Sequence, residues 1–348
     1  MKNFYKNKTV LVTGHTGFKG AYLSHMLLGF GANVIGYSLE PPTKPSMFEA
    51  LGLEDRMTSI IADIRDLLKL KATFDTYKPE IVFHLAAQPL VRESYKNPVY
   101  TYDTNVMGTV NVCECVRLTN SVKSFLNVTT DKVYENNEVE IPFREDMPLD
   151  GYDPYSNSKS CSELVTHSYK KSFFDNLDIA VSTARAGNVI GGGDFALDRI
   201  VPDCYRAAIK GEKIVIRNPF SIRPYQHVLE PLMAYLMIAM KQYEDKSLQG
   251  YYNVGPDEMN CLKTGELADC FCKYWENNLE WINEYDGGPH EANFLKLDCT
   301  LVKSKFGWRP TWNAEVAIEK SVEWYKAYSE GKDMIEITNR QIGELQNV

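Results

Sequence analysis

Short apolar runs alternate with amphipathic segments over the first half of the chain. The apolar runs predict six strands, at residues 8–14, 32–39, 58–66, 80–88, 123–134 and 178–191. Between them, apolar positions spaced by three and four predict helices, the longest at 97–118 and 155–173. The strand runs are nearly continuous, as in parallel strands that are buried on both faces. The alternation therefore predicts an α/β fold with a doubly wound parallel sheet.

The alternation of strands and helices ends near residue 188. The segments beyond it are rich in loops and in polar, basic and aromatic residues. We expect a sheet domain over residues 1–187, to which the segment near 225–253 returns. Residues 188–224 and 254–330 are expected to form a smaller C-terminal lobe that binds the substrate across a cleft, and 331–348 a C-terminal tail.

Composition and charge narrow the class of protein. The 348 residues are 44% hydrophobic and 24% charged, which is ordinary for a globular protein. A net charge of −8 argues against a nucleic-acid partner. The longest nearly uncharged apolar run, residues 231–240, is too short to span a bilayer. The N-terminal residues do not resemble a signal peptide, so we expect no membrane association and a cytoplasmic location.

The eight cysteines are scattered along the chain. Cys113/Cys115 and Cys270/Cys272 are C-x-C pairs within predicted helices, and neither pair has a histidine at ligand spacing. We interpret them as reduced thiols that pack as small hydrophobic side chains. No metal site is expected.

A glycine triplet joins the first predicted strand to the first predicted helix. Gly14, Gly17 and Gly20 form G-x-x-G-x-x-G, with Thr16, Phe18 and Lys19 between them. Glycines allow a tight turn and close backbone approach, and the helix N-terminus attracts a pyrophosphate. A plain strand–helix turn is the alternative. Because a strand precedes the triplet and a helix follows it, we favour a dinucleotide site in a Rossmann-like domain.

The ends of the second and third predicted strands bear on the choice of cofactor. Ser38, with Glu40 two residues later, lies where NAD-binding domains place an acid for the ribose hydroxyls. With no arginine nearby to pair a 2′-phosphate, the sequence favours NAD over NADP. Asp63, followed by Ile64, is expected to meet the adenine, and a helix N-cap is the alternative for Asp63.

Tyr155 and Lys159 are four residues apart in a predicted helix and therefore share a face. An ammonium close to a phenol lowers the pKa of the tyrosine from about 10. Thr130 ends the preceding predicted strand, at the carboxyl edge of the same sheet, where ligands bind. A tyrosine–lysine pair at this spacing is common and usually just two surface residues, but Thr130 at the same edge of the sheet makes it informative.

Several further motifs strengthen this picture. They are "VLVTGHTGFKG", "FHLAAQPLV", "TNVMGT", "TDK", "YDPYSNSK", "ARAGNVIGGGD", "IRPYQHVLEPL" and "HEANFLKLD". Taken together, these motifs resemble those of the extended short-chain dehydrogenase/reductases of the NAD-dependent epimerase/dehydratase family, and the resemblance runs from about residue 8 to about 330. Within that family the chain is most similar to the branch that dehydrates CDP-glucose.

The resemblance implies a role for each residue of the reaction centre. Tyr155 would take the proton of the sugar 4-hydroxyl, Lys159 would tune it and hold the nicotinamide ribose, and Thr130 would hydrogen-bond O4. Asp131 would be the acid at O6 and Lys132 the base at C5. An epimerase has no use for this last pair, whereas elimination of water needs both. The alternative for the pair is a turn that carries two solvated charges.

Lys132 leaves two mechanisms open. Most sugar-nucleotide 4,6-dehydratases have glutamate at this position, while the CDP-glucose branch has lysine. A lysine with its ordinary pKa of about 10.4 is protonated and cannot abstract a proton. Lys132 is therefore either a base of lowered pKa or a cation that stabilises the enolate while water acts as the base. The "TTDKVYENNEVE" loop also departs from the "TSDKCYENREW" expected of that branch.

Substrate contacts are expected in the second lobe. The resemblance implies that Arg223 and Asn188 bind the diphosphate. Arg199 and Arg217 are further candidates, with surface charge as the alternative. His290 is expected to close over the nucleotide, with a capping or packing histidine as the alternative.

The remaining family motifs concern the cofactor pocket. Ala86, Ala87 and Gln88 end the fourth predicted strand, where small side chains let the cofactor pack against backbone. The resemblance implies that Asn105 shapes the site through backbone and water, and helix packing is the alternative.

We therefore expect NAD-dependent dehydration of CDP-glucose to CDP-4-keto-6-deoxyglucose, in a pathway such as that of lipopolysaccharide O antigen. A 4,6-dehydratase for another nucleotide sugar and a nucleotide-sugar 4-epimerase are the alternatives. A non-catalytic NAD-binding protein is disfavoured because Thr130, Tyr155 and Lys159 are all present. By analogy, the two long helices are expected to pair into a homodimer, or a dimer of dimers.

Overall fold

The computed structural model describes residues 1–137, 140–285 and 295–346. Its strands are β1 Thr9–Thr13, β2 Asn33–Ser38, β3 Thr58–Ile61, β4 Ile81–His84, β5 Ser124–Val128, β6 Ala180–Arg185, β7 Val189–Ile190, β8 Ile214–Ile216, β9 Ile222–Arg223, β10 Gln226–His227, β11 Tyr251–Asn253, β12 Leu262–Lys263 and β13 Trp281–Asn283. Its α-helices are α1 Lys2–Tyr5, α2 Phe18–Gly29, α3 Met47–Ala50, α4 Leu67–Tyr77, α5 Val91–Lys96, α6 Pro98–Tyr102, α7 Gly108–Arg117, α8 Pro154–Ser172, α9 Ile200–Lys210, α10 Leu229–Glu244, α11 Thr264–Trp275, α12 Thr300–Phe306, α13 Ala314–Ser329 and α14 Met334–Gln346.

Seven parallel strands form the central sheet, in the order β11-β6-β5-β4-β1-β2-β3. Strands β4, β5 and β6 are buried along their whole length, because helices cover both faces of the sheet. The strand order reverses between β1 and β4, and ligands bind outside the carboxyl ends at such a switch point. The predicted doubly wound, Rossmann-like fold is confirmed.

Several predicted strands end earlier than the apolar pattern indicated. The predicted strand 123–134 stops at Val128, and a 3₁₀ helix follows at Asp131–Val133 because the Thr130 side chain accepts a hydrogen bond from the backbone of Lys132. The predicted strand 178–191 is split into β6 and β7 around Asn188, whose φ of +49° is left-handed. In both places a turn directs side chains to the carboxyl edge of the sheet.

The predicted helix 97–118 is divided into three parts. A π-helical turn, Asp103–Met107, separates α6 from α7. Such turns are rare and often lie at functional sites. This one holds Asn105.

Strand β11 was missed by the apolar pattern because it has only three residues. It pairs with β6 at the edge of the central sheet, in the register Tyr251↔Thr183. Helix α10 precedes it and packs on the same sheet, where Gln242 donates to the backbone oxygen of Phe125 at 3.1 Å. The chain thus returns to the central sheet after forming the short strands β7 to β10 outside it.

Helix α14 lies within residues 331–348 and packs against α2 and α13. His25 of α2 is 2.9 Å from the Asn339 amide oxygen, and Trp324 of α13 donates to Thr338 at 3.2 Å. Within the described ranges, no helix is long and apolar enough to cross a membrane.

Candidate active site

The glycine loop packs against the end of β4. Gly14 has a φ of +78°, and a Cβ there would lie 2.8 Å from the Ala86 backbone nitrogen. A Cβ on Gly20 would lie 2.0 Å from the Gly14 oxygen, so neither position has room for a side chain. Gly17 is the N-cap of α2, whose first-turn N–H groups have no partner within the helix. This cradle fits the pyrophosphate of a dinucleotide.

Beside the loop, hydroxyl groups close the gap to β2. The Thr16 hydroxyl donates to the Leu39 oxygen at 2.8 Å and lies 2.9 Å from the Ser38 hydroxyl. Phe18 opens α2, and Glu40 is exposed next to this rim. The polar rim is where an adenosine ribose would meet a Rossmann-like sheet.

Asp63 follows β3 and is engaged by an arginine. Its carboxylate pairs with Arg65 at 2.6 Å, and the hydrogen bonds from Arg65 hold the pKa of Asp63 below its usual range. The N-cap of α4 is Asp66, so the N-cap alternative for Asp63 is wrong. Neighbouring Ile64 is buried.

Asn105 fixes the backbone that follows β4. Its side chain accepts from the Gln88 N–H at 2.8 Å and donates to the Gln88 oxygen at 3.1 Å. The same amide donates to Ser158 of α8 at 2.9 Å. Asn105 therefore shapes the segment Ala86–Ala87–Gln88 through its backbone, in addition to joining two helices.

Thr130, Tyr155 and Lys159 meet at the carboxyl edge of β5. The Thr130 side chain lies close enough to the Tyr155 phenol to act on its pKa, and Lys159 donates to the Val128 oxygen at 3.0 Å. Burial raises the pKa of Tyr155 to about 12, and the Thr130 side chain opposes part of that rise. We expected a lowered pKa, but the Lys159 ammonium is held by Val128. Burial lowers the pKa of Lys159 to about 8.

Asp131 is buried, with 1% of its surface exposed, and Lys132 is half-buried. The alternative of a turn with two solvated charges is therefore wrong for Asp131. Burial raises the pKa of Asp131, while the nearby charges of Lys132, Arg223 and Lys19 oppose that rise. The buried carboxyl group thus lies among cations.

The four described candidates for substrate binding have different partners. Asn188 donates to Asp131 Oδ2 at 3.0 Å, and Arg223 is buried close enough to act on the pKa of Asp131. Arg199 pairs with Asp194 at 3.2 Å and acts on Tyr155. Arg217 pairs with Asp198 at 2.6 Å. The fifth candidate, His290, lies outside the described residues.

Sequence reasoning missed two features of the site. Lys19, placed in the glycine loop, also lies among the charges of the reaction centre, where burial lowers its pKa to about 8. Glu163 forms a buried ion pair with Arg185 at 3.0 Å beneath that centre. The spacing of Tyr155, Lys159 and Glu163, four residues each, could have indicated the second feature, because it puts all three on one helical face.

No group of three or more His, Cys, Asp or Glu side chains within the described parts of the chain could hold a metal ion. Cys113 and Cys115 are buried free thiols, and Cys270 and Cys272 are partly buried ones. All four pack with apolar side chains.

The sheet, the glycine cradle and the Thr–Tyr–Lys set define the arrangement of a short-chain dehydrogenase/reductase. The chain belongs to the family described as GDP-mannose 4,6 dehydratase, whose model matches residues 11–321. It is 45% identical to the CDP-glucose 4,6-dehydratase of Salmonella typhimurium, over 99% of this chain and 98% of that protein.

Solved structures share the fold. The Thermus thermophilus UDP-glucose 4-epimerase, in complex with NAD, is 23% identical with a TM-score of 0.78, over 91% of this chain and 99% of that one. The Bacillus anthracis dTDP-glucose 4,6-dehydratase, also in complex with NAD, is 20% identical with a TM-score of 0.76, over 94% and 99%. At these identities the likeness concerns the fold alone.

Replacing the buried lysine should stabilise the protein in a pH-dependent way. The Lys159 pKa falls from 10.5 to about 8 on folding, so the unfolded chain binds more protons between these values and stability rises with pH there. Below pH 8, burying the charged lysine costs about 3 kcal/mol of folding free energy, and its hydrogen bond, worth about 1 kcal/mol, offsets part of this cost. We expect Lys159→Met to raise the free energy of unfolding by about 2 kcal/mol at pH 7, and by less at pH 9.5.

Urea denaturation at the two pH values measures this difference. Lys69→Met is the matched control, because Lys69 is exposed and also donates to a backbone oxygen, that of Ile61 at 3.2 Å. An equal rise in the free energy of unfolding for both variants, or a rise for Lys159→Met that does not depend on pH, would contradict the lowered pKa of Lys159.

Proposed function

We propose that the chain is an NAD-dependent lyase that dehydrates CDP-glucose to CDP-4-keto-6-deoxyglucose. The observation that carries the proposal is the buried carboxyl group of Asp131, in contact with Thr130 next to Tyr155. Oxidation alone needs Thr130, Tyr155 and Lys159, whereas loss of water needs an additional acid. The 45% identical relative has this activity by name.

The residues present fit NAD. The glycine cradle, with Thr16, Phe18 and Lys19 in its loop, would hold the pyrophosphate. Ser38 would hold a ribose, with the adenine between Asp63 and Ile64, and the segment Ala86–Ala87–Gln88 would line the nicotinamide side. When bound, NAD supplies the acceptor for hydrogen from C4 and its return to C6.

In the oxidation step, Tyr155 takes the proton of the 4-hydroxyl while Thr130 hydrogen-bonds O4. Thr130 opposes part of the rise in the Tyr155 pKa, which supports this pairing. Lys159, held at the end of β5 and on the same face of α8 as Tyr155, would bind the nicotinamide ribose. Together they position the alcohol and accept its proton.

In the elimination step, Asp131 donates a proton to the 6-hydroxyl as the C5 proton is removed. A carboxyl group whose pKa is raised by burial keeps its proton to higher pH, which suits an acid. Lys132, half-buried beside it, either takes the C5 proton or stabilises the enolate as a cation. Both roles need the ketone at C4, which makes the C5 proton acidic.

Residues 188–224 and 254–330 form the nucleotide-sugar lobe in this proposal. Arg223 is suited to the diphosphate because its guanidinium is buried near the reaction centre. Arg199 lies near Tyr155 and would add a second cation. Arg217 and His290 would be further contacts to the nucleotide sugar.

A homodimer is supported by an apolar surface on α6, the π-helical turn and α8. Val99 is 81% exposed, and Tyr102, Met107 and Leu164 are exposed beside it. Helices α7 and α8 pack side by side, so a second copy would complete a four-helix bundle. A dimer of dimers would use the same surface.

A cytoplasmic location is supported by the free thiols of the chain, which are typical of a reducing compartment. The keto-deoxy product suits a pathway to dideoxy or branched surface sugars, such as those of lipopolysaccharide O antigen.

Mass spectrometry of CDP-, dTDP-, UDP- and GDP-hexoses incubated with the protein and NAD tests the function. We expect loss of one water from CDP-glucose only, and none with Tyr155→Phe, because no group then accepts the O4 proton. Loss of water from another nucleotide sugar would contradict CDP-glucose as the substrate. An isomer without water loss would identify a 4-epimerase.

Two substitutions of Lys132 separate its two roles. With Lys132→Ala we expect reduced nicotinamide to accumulate, because oxidation proceeds and elimination fails. Lys132→Glu supplies a different base without a cation. If Lys132→Glu restores elimination, Lys132 is the base. If elimination is lost in both variants, Lys132 is the cation that stabilises the enolate. Normal dehydration by Lys132→Ala would contradict both roles.

A charge on the apolar surface should separate the dimer. We expect Val99→Asp to be monomeric in analytical ultracentrifugation, because an aspartate would be buried there without a partner. Phe220→Asp is the matched control, since Phe220 is 76% exposed in the loop between β8 and β9, which are not part of that surface. A monomeric wild type, or a dimeric Val99→Asp, would contradict this interface.

A further inference from the structure

A buried histidine that no step of the proposed reaction uses lies at the end of β4. His84 is 1% exposed, and it stands opposite Thr13, the last residue of β1, in the register of the central sheet. Its Nδ1 is 2.7 Å from the Thr13 hydroxyl, and its Nε2 is 3.2 Å from the Thr109 hydroxyl of α7. Both ring nitrogens therefore have hydroxyl partners, which come from two different elements.

The hydrogen bonds around His84 determine which ring nitrogen carries the proton. The Thr13 hydroxyl oxygen accepts from the backbone N–H groups of Leu85 and Ala86, each at 3.2 Å. Because these two bonds occupy its lone pairs, Thr13 donates its own proton, and Nδ1 of His84 accepts it. The ring proton is then on Nε2, which donates to Thr109. Burial lowers the pKa of His84 to about 3, so the ring is neutral at pH 7.

The segment Leu85–Gln88 follows β4 without forming a helix or a strand. Thr13 holds its first two N–H groups, and the side chain of Asn105 holds the N–H and the oxygen of its last residue, at 2.8 and 3.1 Å. The two anchors are joined, because Thr109 donates to the Asn105 backbone oxygen at 2.7 Å. One hydrogen-bonded chain through the histidine thus holds both ends of the segment.

The same segment packs against the glycine cradle. A Cβ on Gly14 would lie 2.8 Å from the Ala86 nitrogen, and the segment is partly exposed as far as Ala87. In the cofactor site proposed above, it lines the nicotinamide side, whereas Ser38 and Asp63 contact the adenosine. A displacement of this segment would therefore change the contacts of one half of the dinucleotide and leave those of the other half in place.

We propose that His84 is a positioning residue for the cofactor. As the Nε2–H tautomer it fixes the Thr13 hydroxyl, so that both oxygen lone pairs point to the backbone that follows β4. This backbone then forms a fixed wall for the nicotinamide side of NAD. The role of His84 rests on the cofactor site proposed above and not on the identity of the nucleotide sugar. The acceptor at Nδ1, and not the volume of the ring, should therefore determine the affinity for NAD.

Isothermal titration calorimetry with NAD and with ADP tests this role on protein freed of bound nucleotide. His84→Phe fills the ring volume and removes the acceptor, and we expect the Kd for NAD to rise about tenfold while that for ADP stays within about twofold. His84→Asn is smaller but keeps an oxygen near the position of Nδ1, so its Kd for NAD should stay within about threefold of wild type. If packing alone mattered, the smaller asparagine would be the more damaging change.

A second pair of variants acts on the partner hydroxyl in case His84→Phe does not fold. Thr13→Val removes the hydroxyl at similar volume and should weaken NAD binding as His84→Phe does, whereas Thr13→Ser keeps the hydroxyl and should match wild type. His25→Phe is the matched control, because His25 is 2% exposed and also has two side-chain partners, Arg56 and Asn339. It should lower the melting temperature and leave the Kd for NAD within about twofold of wild type.

Three results would contradict the role of His84. The first is an unchanged Kd for NAD in His84→Phe, and the second is a larger loss of affinity in His84→Asn than in His84→Phe. The third is an equal loss for NAD and for ADP, which would show a general disturbance of the sheet. A wild type that binds neither ligand would contradict the cofactor site itself, whereas binding of both without water loss from CDP-glucose would contradict only the proposed reaction.

Discussion

The position of the reaction centre depends on the buried ion pair between Glu163 and Arg185. The two side chains are 1% and 3% exposed, and their charges are 3.0 Å apart. Glu163 also accepts from Thr129 and from Thr183, at 2.8 Å for the latter. A buried charge that lost these partners would be strongly destabilising. The pair therefore fixes α8 against the carboxyl ends of β5 and β6, one turn of helix from Lys159.

Four titratable groups are buried near that ion pair, and their burial lowers the stability of the fold. Burial shifts the pKa of Tyr155 and Asp131 upward and that of Lys159 and Lys19 downward, so each group is held in surroundings that disfavour its charged form. Titratable groups with pKa values shifted in this way cluster at catalytic sites. The packed sheet and helices hold these four side chains close together, because side chains free of that packing would move apart and be solvated.

The turn at Gly187 and Asn188 links the architecture to the chemistry. It ends β6, starts β7, and brings an amide to the Asp131 carboxyl group. A longer β6 would have continued the apolar pattern but would have left Asp131 Oδ2 without this donor. The early end of the strand is thus part of the site.

Local pattern was enough to determine the fold class and to predict several residues that the structure brings together at the carboxyl edge of β5. Strand–helix alternation predicted the parallel sheet, and the glycine triplet and the four-residue spacing of Tyr155 and Lys159 rest on short-range geometry that a sequence displays directly. Only the tertiary structure decided where the strands end, that Asp66 and not Asp63 caps α4, and that Asn188 meets Asp131. It also reversed the expected pKa shift of Tyr155, because burial depends on the packing of distant segments. Such contacts join residues far apart in the chain, and no periodicity of neighbouring residues encodes them.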